Sequence, residues 1–116
     1  MSISLYHNPR CSKSRQALAL LESHGIQPEL VLYLDTPPSA AALRQVLQKL
    51  GVSARQLLRT GEAEYRELGL ADTSLSEAAL IAAMCAHPRL IERPIAIASN
   101  RAVLGRPPEN VLALLP

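Results

Sequence analysis

The sequence predicts an α/β fold: a β-α-β unit opens the chain, a β-β-α unit closes it, and an all-helical segment lies between. Three observations carry that expectation. Short apolar runs bounded by turn residues stand near both ends, at residues 3–6, 30–34, 95–97 and 102–104. Residues 39–88 instead repeat apolar side chains at the three- and four-residue spacing of helices. The first two runs are joined through a helix-length stretch, the crossover that parallel strands require.

Taken in order, residues 3–6 read as a buried strand that enters a turn at Asn8-Pro9. Residues 12–24 follow as a helix with Ala17, Leu18, Leu20 and Leu21 on its apolar face, and Gly25 stands where a left-handed cap is wanted. Residues 30–34 supply the second strand. After Asp35-Thr36-Pro37-Pro38, Ser39 is placed to cap a helix in which Leu43, Val46, Leu47 and Leu50 recur at i, i+3, i+4 and i+7 before Gly51. Ser53 opens a short helix that turns Leu57 and Leu58 inward, and residues 62–68 add another turn or two. Ser74-Leu75-Ser76-Glu77 matches a capping box, ahead of a helix whose inward face is Leu80, Ile81, Met84 and Cys85 and which stops near Pro88. Residues 95–97 and 102–104 form a hairpin about Asn100, and Pro107-Pro108-Glu109 opens a short helix that runs through Leu115.

A chain of 116 residues suits one domain, with the helical segment at about 39–88 as an insertion rather than a second domain. With 48% hydrophobic residues but no Trp or Phe, its interior must be aliphatic, and Tyr6 and Tyr33 are its larger pieces. A net charge of +2 without a block of like charges argues against a nucleic-acid surface. No apolar stretch nears the roughly 18 residues of a membrane span, so no membrane is expected. Two cysteines, Cys11 and Cys85, are too few for a disulfide framework, and together with the lack of a signal core they point to the reducing cytoplasm. Ten of the twelve basic residues are Arg, the better fork for binding an oxyanion.

Cys11 carries the chemistry. It lies between a strand and a helix start, beside Arg10, Lys13 and Arg15. A free thiol has a pKa near ~8.5, but one at a helix N-terminus among cations falls to roughly 3.5–7.5 and becomes a nucleophile. The order βαβ then ββα is that of a thioredoxin-like fold, whose first loop holds the reactive cysteine. Cys11-Ser12-Lys13-Ser14 keeps the spacing of a dithiol site but puts Ser14 in the second position, so an external thiol, or Cys85, must resolve an oxidised Cys11. Cys85 shares the stripe of Leu80, Ile81 and Met84, where a cysteine is usually a small core hydrophobe. His7, four residues before Cys11, either favours the thiolate as an imidazolium or is structural.

The segments Y-H-N-P-R-C-S-K-S-R, Y-L-D-T-P-P, L-L-R-T, Y-R-E-L-G-L-A, H-P-x-L-I-E-R-P-I and L-G-R-P-P-E, in that order, resemble the glutaredoxin-linked arsenate reductases of the ArsC type, in their short, YfgD-like branch. The resemblance spans the chain. It implies a thioredoxin-like fold with a helical insertion, Cys11 as nucleophile, His7 and Ser14 as its helpers, and Arg59, Arg93 and Arg106 as the oxyanion ligands. It further implies a cis-Pro94 that points Arg93 at Cys11. Guanidinium groups offset the repulsion between a thiolate and a tetrahedral anion, and preorganised donors of this kind are worth ~3 kcal/mol each. The implied reaction reduces arsenate through a Cys11 thiol-arsenate ester and a Cys11-glutathione mixed disulfide. Glutathione is then a co-substrate, glutaredoxin a protein partner, and neither a bound cofactor nor a metal is called for. The site departs from the C-G-T-S of dedicated arsenic-resistance enzymes by carrying C-S-K-S. Two other readings share the fold: a glutathione-dependent thiol oxidoreductase with another substrate, and an Spx-type redox regulator that binds RNA polymerase. The regulators typically carry Cys-x-x-Cys, and position 14 here is Ser.

Overall fold

The computed structural model of the protein describes residues 2–115. They form two compact units, one that runs to Thr36 and resumes at Arg93, and one that comprises Pro37–Glu92.

The first unit holds β1 (Ser4–Tyr6), α1 (Ser12–Ser23), β2 (Glu29–Val31), β3 (Ile95–Ile97), β4 (Ala102–Leu104) and a C-terminal 3₁₀ helix (Pro108–Leu114). Its sheet has the order β2-β1-β3-β4. β1 runs parallel to β2, while β3 runs antiparallel to both β1 and β4. This is a thioredoxin-like fold. The crossover helix explains the parallel pair, and the hairpin explains the antiparallel one.

Strand alternation sorts the side chains of this unit onto two faces. Leu5 lies opposite Ala96, and with Ile3 they bury against Ala17 and Leu21 of α1 and Val111 and Leu114 of the 3₁₀ helix. Leu21 is fully buried there, so truncation to Ala would cost about 2–5 kcal/mol. Tyr6, one step along β1, lies opposite Ile95 and stacks on Tyr33 with ring centroids 5.7 Å apart. Both tyrosines are buried, as an aliphatic interior requires of its largest side chains.

Two elements differ from expectation. β2 covers Glu29–Val31 instead of residues 30–34, because the Leu32 carbonyl accepts the N–H groups of Asp35 and Thr36 and turns the chain. β2 is also the edge of the sheet, which leaves Leu30 and Leu32 exposed. An apolar run reads the same for an edge strand as for a central one. The C-terminal helix is 3₁₀, with Asn110 N–H bonded to Pro107 O. The adjacent prolines remove two backbone donors from its start.

The second unit contains α2 (Ala40–Leu50), α3 (Ala54–Leu57), α4 (Ala63–Glu67), α5 (Glu77–Ala86) and a 3₁₀ turn (Pro88–Leu90). Ser39 caps α2 by accepting the Ala42 N–H, and Gly51 ends it at φ +71°. Ser53 and Gln56 form a reciprocal capping box on α3. The box expected at Ser74–Glu77 is absent. Asp72 Oδ1 accepts from both the N–H and the hydroxyl of Ser74, Ser76 caps α5 through the Ala79 N–H, and Glu77 Oε2 accepts the Ala54 N–H at the start of α3. Leu80, Ile81 and Met84 are buried as expected, but Cys85, at the margin of that stripe, is only half-buried. An antiparallel bridge pairs Leu58 with Ile91, 33 residues apart, a pairing that no local pattern announces. Among the described residues no helix is long and apolar enough to cross a membrane.

Candidate active site

The loop that presents Cys11 is organised by Asn8. β1 ends at Tyr6, and His7 extends the parallel pairing by donating its N–H to Val31 O at 3.0 Å. Asn8 then uses three backbone and side-chain groups. Its carbonyl accepts the Cys11 N–H at 2.9 Å, its Oδ1 accepts the Arg10 N–H at 3.0 Å, and its own N–H donates to the buried Ser14 Oγ at 3.3 Å. Arg15 Nη1 closes the turn on Pro9 O at 2.9 Å. Cys11 is thereby held as the N-cap residue of α1 with φ −94° and ψ 123°.

At that position the thiol is half-buried and faces the backbone N–H groups of Lys13 and Ser14 in the first turn of α1. Burial raises its pKa, but the backbone N–H of Ser14, the Arg93 side chain and the backbone N–H of Lys13 together outweigh burial and bring the pKa below the ordinary thiol value. A lowered pKa enlarges the thiolate fraction, the form in which a cysteine acts as a nucleophile. Ser14 acts on Cys11 through its main chain, while its hydroxyl is the acceptor that ties Asn8 into the loop.

His7 is buried, and its pKa is lowered, first by that burial and then by the charge of Arg15. It is therefore neutral at pH 7 rather than an imidazolium, and it is not among the groups that hold down the Cys11 pKa. Its buried Nδ1 has no hydrogen-bond partner among the described residues.

Arg93 and Arg106 converge through the backbone. Arg106 Nε donates to Arg93 O at 2.8 Å, and the Gly105 N–H donates to Pro94 O at 2.8 Å. The Arg93–Pro94 peptide is cis, as the resemblance implies; so is Arg106–Pro107, which the sequence reading did not anticipate. Gly105 is also a residue that reasoning missed, since no local signal tells that its α-carbon faces Pro94. Cys11, Ser14, Arg93 and Arg106 thus form one connected group in the first unit.

Arg59 lies in the second unit. The Leu58–Ile91 bridge, with Arg59 N–H on Leu90 O, sets it beside Glu92. Its Nη1 meets Glu92 Oε1 at 2.6 Å and its Nε meets Glu62 Oε2 at 3.3 Å, and Glu62 also receives Arg89 at 3.1 Å. Two carboxylates therefore fix the guanidinium plane, and neither was singled out by sequence. The spacing of Glu62 at i+3 was the available signal for one of them.

The sequence model of the ArsC family matches residues 6–114. The chain belongs to the ArsC family. Within the family it is 57% identical over 114 residues to the YfgD protein of Escherichia coli K12, a match that covers 97% of this chain and 96% of that one. It is 51% identical over 114 residues to the arsenate reductase of Neisseria meningitidis serogroup B, covering 97% of each. The arsenate reductase from Vibrio cholerae has the same ArsC-family fold, with a TM-score of 0.97, 52% identity and coverage of 99% of this chain and 98% of that one.

Proposed function

We propose that this protein reduces arsenate to arsenite at Cys11, with glutathione and glutaredoxin as the sources of electrons. The observation that supports the reading is the lowered pKa of Cys11, to which the Arg93 side chain contributes a hydrogen bond and a positive charge. Relatives named arsenate reductase at about half identity over nearly the whole chain support the choice of anion.

In the first step the Cys11 thiolate attacks arsenic in dihydrogen arsenate, an S–As bond forms, and an As–O bond breaks with loss of hydroxide. Arg93 and Arg106 serve the anion through their N–H groups, and Arg59 is the third arginine that the family pattern assigns to it. In the second step the sulfur of glutathione bonds to Cys11 Sγ and the S–As bond breaks. Its electron pair stays on arsenic, which passes from As(V) to As(III), and the thiol proton goes to an arsenite oxygen. Cys11 is left as a mixed disulfide, which glutaredoxin exchanges back to the thiol. Ser14 in place of a second cysteine agrees with this external route. Neutral His7 keeps its place in the loop wall, where it can accept or donate one proton. The compartment that fits is the cytoplasm, where thiols stay reduced.

The test is a coupled assay with arsenate, glutathione, glutaredoxin, glutathione reductase and NADPH, followed by NADPH oxidation. Arsenate-dependent turnover in the wild type and none in Cys11→Ser is the expected result. Turnover with a small disulfide but none with arsenate would replace this reading by a general glutathione-dependent thiol reductase.

A further inference from the structure

Beside the Cys11 loop lies a cavity of about 350 Å³ within the first unit, walled by residues 7–10 and by Leu32, Leu34 and Asp35. Its size is at the lower end of small-molecule sites, which run to roughly 300–1,000 Å³. We infer that this cavity docks the external thiol that resolves Cys11, a small peptide thiol carrying both an ammonium and carboxylate groups. The inference rests on the reading that Cys11 is resolved from outside.

The chemistry of the walls selects such a ligand. Arg10 and Asp35 present opposite charges on the same cavity, both are exposed, and neither has an ion pair among the described residues. A zwitterion satisfies both at once, whereas arsenate or another simple anion would meet only Arg10 and be repelled by Asp35. Between them Leu32, which is 40% exposed, and the half-buried Leu34 offer apolar surface to methylene groups. His7, 95% buried by its 5% exposure, lines the same cavity and has the unpartnered Nδ1. A buried polar atom without a partner is rare in proteins and marks a place where a ligand group or water completes the site.

The cavity lies along the loop that leads into Cys11. Arg10 in its wall directly precedes Cys11, and the hydrogen bonds of Asn8 fix the two residues to one rigid turn. The docked thiol bonds its sulfur to Cys11 Sγ, displaces the electron pair of the S–As bond onto arsenic, and yields the mixed disulfide with its proton passed to arsenite.

S-methylglutathione, whose blocked sulfur cannot exchange, is the probe. Titrated into the ¹⁵N-labelled full chain, it is expected to shift the amides of residues 7, 8, 10 and 32–35. Asp35→Asn and Arg10→Ala, both at exposed positions, should each weaken binding about fivefold, the effect of one exposed ion pair. N-acetylation of the probe, which removes its ammonium, should weaken binding to the wild type by as much as Asp35→Asn does, and this arm needs no variant to fold. In the coupled assay the KM for glutathione should rise in both variants while the KM for arsenate stays unchanged. Shifts confined to residues around Arg93 and Arg106, unchanged affinity on loss of either charge, or no binding at all would overturn the inference. Binding at residues 7–10 and 32–35 without arsenate turnover would uphold the inference and remove only arsenate as the substrate.

Discussion

A β-carbon on residue 105 would stand 2.6 Å from Cγ of Pro94, so Gly105 and Pro94 touch at a distance that only glycine permits. The contact packs the β4 end against the residue that follows Arg93, while Arg106 Nε holds the Arg93 carbonyl from the other side. The two ends of this clamp act on one arginine.

Gly105→Ala should therefore be destabilising by about 1–3 kcal/mol, the usual cost of overpacking. Urea denaturation measures that loss. Because the backbone that must give way carries Arg93, the substitution should also raise the Cys11 pKa. Wild-type values of both would show that the clamp can relax without consequence.

Replacement of Arg93 should move Cys11 directly. In the native protein the Cys11 pKa is depressed, so alkylation by iodoacetamide should stay fast until the pH falls through that lowered value. Arg93→Ala removes both a hydrogen-bond donor and a positive charge, which leaves burial less opposed, and the midpoint of the rate profile should move up. Arg93→Lys keeps the charge without the planar fork and should fall between the two. An unmoved midpoint in Arg93→Ala would assign the depression to the backbone donors alone.

His7 gives stability a pH dependence of definite sign. Its folded pKa lies below 6.5, so the unfolded chain binds the proton more readily. The stabilisation is complete above pH 6.5 and is lost as the pH falls from there through the folded value. His7→Gln should flatten the unfolding free energy across that window, and its stability loss should be larger at pH 7.5 than at pH 5. A proton NMR titration of His7 with a midpoint above 6.5 would reverse the sign.

The Arg59–Glu92 pair should couple weakly. Both side chains are partly exposed, at 21% and 26%, so a double-mutant cycle with Ala should return about 0.5–1 kcal/mol in stability. A larger value would mean that Glu92 and Glu62 act as one network on the guanidinium.

How far the sequence could be read follows from the range of the interactions involved. Helices α1, α2 and α5 and the four strands were legible because apolar period and caps such as Ser39, Gly25 and Gly51 are local signals. The N-cap of α5 lies at Ser76, two residues beyond the Ser74 that the sequence suggests, because both serines precede Glu77 and only the structure shows that Asp72 claims Ser74. Cys11 and Ser14 stand in one short motif, Arg93 and Arg106 are picked out only by the family resemblance, and the structure links the four. What stayed hidden was non-local or set by burial. Glu92 reaches Arg59 across 33 positions, Gly105 meets Pro94 across a hairpin, and neutral His7 owes its state to its surroundings.

The donors from Lys13 and Ser14 to Cys11 belong to the peptide chain and not to its side chains. No point substitution short of proline deletes them, so this part of the thiolate's support is immune to side-chain drift at positions 13 and 14. Lys13 can then be exchanged for another residue with the local acidity of the sulfur largely preserved. The acidity of this sulfur rests in part on how the main chain bends, and the Arg93 side chain supplies the other part.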